Sequence, residues 1–182
     1  MLRDTNSSRK TNYDMPGSNT TPRDYATLFS DAYTSLFKDF VMKHDVIIIK
    51  SCYPNSNIKS DDELQTIKSH YGSIASFFAQ HSNKQLIIIT SPPLVPLRTN
   101  TANAARAREL ALWLSHETFN ANINVFDFFD MLADHANDHV NMLRRTYRRL
   151  LPFDSHPNKQ ASKNIAPKLV RRIIDVAARL ST

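Results

Sequence analysis

The chain has 182 residues, 41% of them hydrophobic and 22% charged, a size and balance that suit one globular domain with a substantial core. No apolar run approaches the ~20 residues of a membrane span. The single cysteine, Cys52, excludes an intrachain disulfide and a Cys-rich zinc site, and the two glycines, Gly17 and Gly72, are too few for a glycine-rich phosphate loop.

The formal charge of +6 reads as general basicity, because no RNA-binding aromatic signature and no helix-turn-helix pattern accompanies it. Nucleic acid is therefore not an expected partner. The first residues, MLRDTNSSRKTNYD, contain no apolar stretch of the secretory kind, so the default expectation is a cytoplasmic protein.

Residues 1–23 are rich in Asn, Ser, Thr, Arg and Asp and are expected to form a flexible polar arm. Residues 24–182 read as a single α/β domain. Phe29, Tyr33, Leu36, Phe37 and Phe40 recur at helical spacing and predict a helix over 24–43. Val46–Ile49 is an unbroken β-branched run. It predicts a strand buried on both faces, and it stops at the polar loop Ser51–Asn57. Ser60, followed by Glu63, then marks a capped helix start, with an apolar face running from Leu64 to Phe78.

The second strand, Gln85–Thr90, leads into Ser91-Pro92-Pro93, where the prolines halt regular structure. A third helix is predicted over Ala104–Phe119 and a third strand over Ile123–Phe129. Residues 128–151 read as mostly helical. The last helix is placed at about 161–180, burying Ile165, Leu169, Val170, Ile173, Ile174 and Ala177. Three strand–loop–helix units predict a parallel sheet with helices on both faces. Three strands are few for such a domain, so the expectation is that the arm adds strands, that the chain pairs with another copy, or that it represents part of a larger fold.

Loops after parallel strands open on one edge, where ligands bind in open α/β sheets. Loops 51–57 and 91–96 should therefore be neighbours, and 152–158 can reach the same edge. This would gather Ser51, Asn55 and Asn57 with Asp154 and His156. An Asp beside a His fixes the ring's tautomer and supports it as a general base, and an Asn amide suits an oxyanion. Cys52 reads as a small hydrophobe. His135 and His139, four apart, could face one metal but have no identifiable third ligand.

The ordered motifs KSCYPNS, IIITSPP, VFDFF and DSHPN, over about residues 45–180, resemble the carboxyl-terminal portion of the SGNH (GDSL-like) hydrolases. The resemblance implies a flavodoxin-like three-layer α/β sandwich with a parallel sheet and metal- and cofactor-independent hydrolysis of acyl or acetyl esters. Small-molecule or glycan esters would be the substrates. By position it implies His156 as base, Asp154 as its orienting partner, and Asn55 as an oxyanion donor with Asn57 in reserve.

Two departures stand out. The family usually has two residues between the Asp and the His; here there is one, and Phe153 occupies the usual Asp position. No strand ending in a GDS-like nucleophile precedes residue 45, Ser18 lies in a polar stretch, and the family's Gly donor has no counterpart. The expectation is thus an SGNH-like ester hydrolase, truncated or degenerate. The alternative is a non-catalytic module of that fold which binds a carbohydrate or a protein.

Overall fold

The computed structural model describes residues 20–117 and 119–180. Most of the expected arm, including Gly17 and Ser18, lies outside the described residues. Helices α1 (Pro22–Leu28) and α2 (Leu36–Val41) lead to strand β1 (Val46–Lys50). Then follow α3 (Asp61–Gln80), β2 (Gln85–Ile89), α4 (Thr101–His116), β3 (Ile123–Phe126), α5 (Phe128–Leu132) and α6 (Lys159–Ala178).

The strands form one parallel sheet in the order β1-β2-β3. Val46 stands opposite Gln85, and Leu86 opposite Ile123. Parallel neighbours need a crossover, and α3 and α4 supply the two. Successive side chains alternate across the sheet. Ile47, Ile49, Leu86, Ile88 and Ile123 pack in one core with Tyr71, Ile74, Leu110 and Leu114 from α3 and α4. Ile87, Ile89 and Phe126 pack in a second core with Ala161, Ile165 and Val176 from α6. The result is three layers, α3 and α4, sheet, and α6.

Several sequence expectations change. The crossover helices do not flank the sheet; they share one face. The strand order never reverses, and crossovers of one hand that progress in one direction put their helices on one side. The other face is covered by α6, which is not a crossover. The strand buried throughout is β2, which sits in the centre of the sheet. β1 lies at an edge of the sheet, and its Ile48 is 42% exposed.

The helix expected over 24–43 is two helices. Pro22 stands in the first turn of α1, after a Thr21–Asp24 capping box. Ser35 then accepts the Lys38 N–H at 3.0 Å and starts α2 afresh. Glu63 reaches back to the Lys59 N–H at 2.7 Å, while Ser60 accepts the Glu63 N–H at 3.1 Å.

The segment 128–151 is mostly not helical. After α5 its backbone donors go elsewhere: Leu143 N–H to Leu94 O at 2.8 Å, Arg144 N–H to Leu132 O at 2.9 Å, and Asp134 N–H to Met142 O at 2.8 Å. Asn141 takes a φ of 65°, a left-handed conformation that asparagine tolerates. In α6, Val170 and Ile174 face solvent and only Ala161, Ile165 and Val176 are buried.

These burial differences set the response to truncation. Ile88 has no exposed surface. Ile88→Ala is expected to destabilise the fold by about 2–5 kcal/mol in urea denaturation, and Ile48→Ala by under about 1 kcal/mol.

Candidate functional site

Three loops meet at the carboxyl edge of the sheet, and three hydroxyl groups help to hold them there. Ser51 directly follows β1, and its buried Oγ lies 3.2 Å from the Tyr71 hydroxyl on α3. Burial pushes the Tyr71 phenol up to about 12, so it stays a neutral partner. From α1, the Tyr25 hydroxyl donates to Lys50 O at 3.1 Å and fixes the same strand end.

Tyr53–Ser56 then forms a single 3-10 turn. Ser56, also buried, donates to Pro92 O at 2.8 Å and joins the first loop to the second. The second loop in turn reaches the third: Val95 N–H donates to the wholly buried Oγ of Ser155 at 3.2 Å. Loops 51–57, 91–96 and 152–158 therefore do share one edge.

In the third loop, Asp154 Oδ1 accepts two bonds from His156, the backbone N–H at 2.9 Å and ring Nδ1 at 2.5 Å. One intervening residue suffices for this pairing because a carboxylate naturally reaches the N–H two residues on. Ser155 points the opposite way into the core, so the dyad is anchored between its two members.

A carboxylate only accepts, so Nδ1 carries a proton, and in the neutral ring Nε2 is then the nitrogen with a free lone pair. The His156 side chain is 54% exposed, and Nε2 has no protein partner among the described residues. The Tyr53 ring meets the His156 ring edge-on, with centroids 4.8 Å apart, and links the dyad directly to the β1 exit. Arg149 Nη1 lies 3.4 Å from Asp154 Oδ2. The Asp154 carboxyl is held below its usual range, first by the His156 backbone N–H, then by the ring, with smaller help from Arg149.

The amides are placed less favourably for chemistry. Asn55 is half-buried in the β1 loop, and its Nδ2 donates to Cys52 O at 3.2 Å. Asn57 uses its Oδ1 to accept from Asn103 Nδ2 at 2.9 Å, a bond that holds the loop against the start of α4. Cys52 is a partly exposed free thiol beside Tyr53. His135 lies in irregular chain, 3.7 Å from Asp130, and His139 ends a short 3-10 turn, Asn137–His139. Among the described residues no three His, Cys, Asp or Glu side chains gather as a metal site.

Sequence reasoning missed Tyr53, Ser155 and Arg149 as neighbours of the dyad. Arg149 carried a signal, a cation five residues before the acid. Tyr53 and Ser155 carried none, because their roles depend on loops far apart in the chain.

The depressed Asp154 pKa has a definite sign. Its bonds stabilise the turn above the carboxyl's unfolded pKa, and that contribution is lost as pH falls through the lower folded value. In a carboxyl-carbon NMR titration Asp154 is expected below the ~3.9 of an ordinary aspartate, and His156→Ala should raise it. An unchanged midpoint in the variant would contradict the geometry. No family model matches this chain, and neither a curated protein nor a solved structure matches it significantly.

Proposed function

We propose that the chain is an SGNH-like ester hydrolase in which His156 is the general base and Asp154 its orienting partner. The observation that carries this reading is the Nδ1 to Oδ1 contact of 2.5 Å, which leaves Nε2 as the proton acceptor at a solvent-facing strand-exit edge. Strand order adds support: three parallel strands in unreversed order match one side of a flavodoxin-like sheet, whose order is 2-1-3-4-5.

In the proposed reaction Nε2 removes a proton from a hydroxyl as its oxygen attacks the ester carbonyl. The imidazolium, steadied by Asp154, then returns that proton to the departing alkoxide. The second amide hydrogen of Asn55 would donate to the oxyanion, and Asn57 would support that loop from behind.

Three serines of the strand-exit loops are occupied. Ser51, Ser56 and Ser155 are buried, and each hydroxyl has a partner. The attacking hydroxyl is therefore assigned to none of them. This observation also favours a second reading, a non-catalytic module of the same fold that binds a glycan or a protein.

Short acyl esters of nitrophenol separate the two. Hydrolysis is expected, and His156→Ala should lower kcat/KM by about 10²–10⁴-fold. Asp154→Asn should lower kcat with little change in KM. A fluorophosphonate that labels one serine assigns a covalent route, whereas turnover without labelling assigns the attack to water. Absence of turnover with the wild-type chain rejects the hydrolase reading.

A further inference from the structure

Directly beside the dyad the chain turns its apolar side chains outward. Leu150 is wholly exposed, Leu151 is 69% exposed and Phe153 57%. Leu97, from the neighbouring strand-exit loop, is 60% exposed. Buried side chains elsewhere show that the fold has room to hide such groups, and contiguous exposed apolar surface marks an interaction site.

The backbone beneath this tip is well tied. Asp154 N–H donates to Leu151 O at 3.1 Å, and Arg98 Nε to Phe153 O at 3.2 Å. Asn158 Nδ2 donates to Thr146 O at 2.9 Å and to Arg148 O at 3.0 Å. Polar groups inside the loop are spent on holding its shape, and the apolar ones are left for something outside.

The surroundings are cationic. A broad open groove of about 1370 Å³ runs along the tip, lined by Arg145, Arg148, Arg149 and Lys159 together with Leu97, Leu150 and Leu151. Asp154 is the one acidic group in that lining. Arg149 leans toward it, but Arg148 Nη2 is a buried donor with no hydrogen-bond partner among the described residues. Arg98 adds a fifth cation beside the Phe153 ring, 5.8 Å from its centroid.

Leucines and a phenylalanine projecting among arginines match an anionic lipid surface: the apolar groups enter the acyl boundary while the cations meet the headgroups. A nucleic acid would use the cations and leave the leucines in water. We infer that the tip formed by residues 148–153 with Leu97 and Arg98 docks on an anionic lipid surface and brings the His156–Asp154 dyad to it. The consequence for substrate rests on the hydrolase reading: the ester is then an acyl lipid held in that surface.

Sedimentation with vesicles tests the docking on the full chain. Phosphatidylcholine vesicles containing phosphatidylglycerol should bind it, and pure phosphatidylcholine vesicles should not. Binding should weaken at about 0.5 M salt, where screening is strong. Arg145→Gln with Lys159→Gln should reduce partition at least about tenfold. Leu150→Ser with Leu151→Ser, at exposed positions that leave the core intact, should reduce it similarly. Leu151→Trp should report burial by a blue shift of its fluorescence on anionic vesicles alone; Trp113 on α4 provides the unshifted control.

Equal binding to both vesicle types, no binding, or binding indifferent to these substitutions would overturn the inference. So would self-association of the wild type abolished by the leucine variant without vesicle binding, or tighter capture by duplex DNA than by the vesicles. His156→Ala must still bind. Vesicle binding without ester turnover leaves docking intact and removes the hydrolase reading. Turnover of a soluble ester without vesicle binding does the reverse.

Discussion

A buried hydrogen bond, from the Val95 N–H to Ser155 Oγ, ties the loop that carries the dyad to the neighbouring strand exit. Ser155 has no exposed surface, and its hydroxyl is the inward counterpart of the two side chains that point out on either side of it. Leaving a buried amide unpaired costs about 1–3 kcal/mol, so the third loop has little freedom to leave the sheet edge. The same logic runs through the other loops. Ser56 caps a Pro92 carbonyl and Ser51 meets Tyr71, so the strand ends are joined by hydroxyls from their own exits.

The sheet explains why there is an edge to dock against. Among the described residues its three strands progress in one direction, so both crossover helices gather on one face, and α6 shields the other together with Val95, Leu132 and Leu143. β2 is buried along its whole length, while β1 is left with Ile48 half-open. The residues that define the site stand where the strands end and the helices have not yet begun. There the backbone lacks ladder partners, and side-chain hydroxyls take over.

The loop rim combines two features that a soluble surface usually separates. Leu97, Leu150, Leu151 and Phe153 stand in water within the same rim as Arg98, Arg145, Arg148, Arg149 and Lys159. Long cationic stems bridge apolar and polar surroundings, and they suit a boundary between the two. Asp154 lines the same groove, so the dyad and the exposed leucines share one loop.

Much of this was legible in the residues. Short apolar runs at Val46–Ile49 and Leu86–Ile89 announced strands, but only β2 is covered on both faces; β1 lies at an edge and leaves Ile48 open. Ser60 announced a helix start through its capping oxygen, and Asp154 beside His156 announced a local pair. These are short-range properties, decided within a few residues. Tertiary structure decided the rest: that 128–151 spends its backbone bonds on Leu94 and Leu132 in place of a helix, that Asn57 holds α4, and that Tyr53 meets His156. No local pattern encodes these contacts. They join residues tens of positions apart, and they form only when the sheet brings its loop ends to one edge.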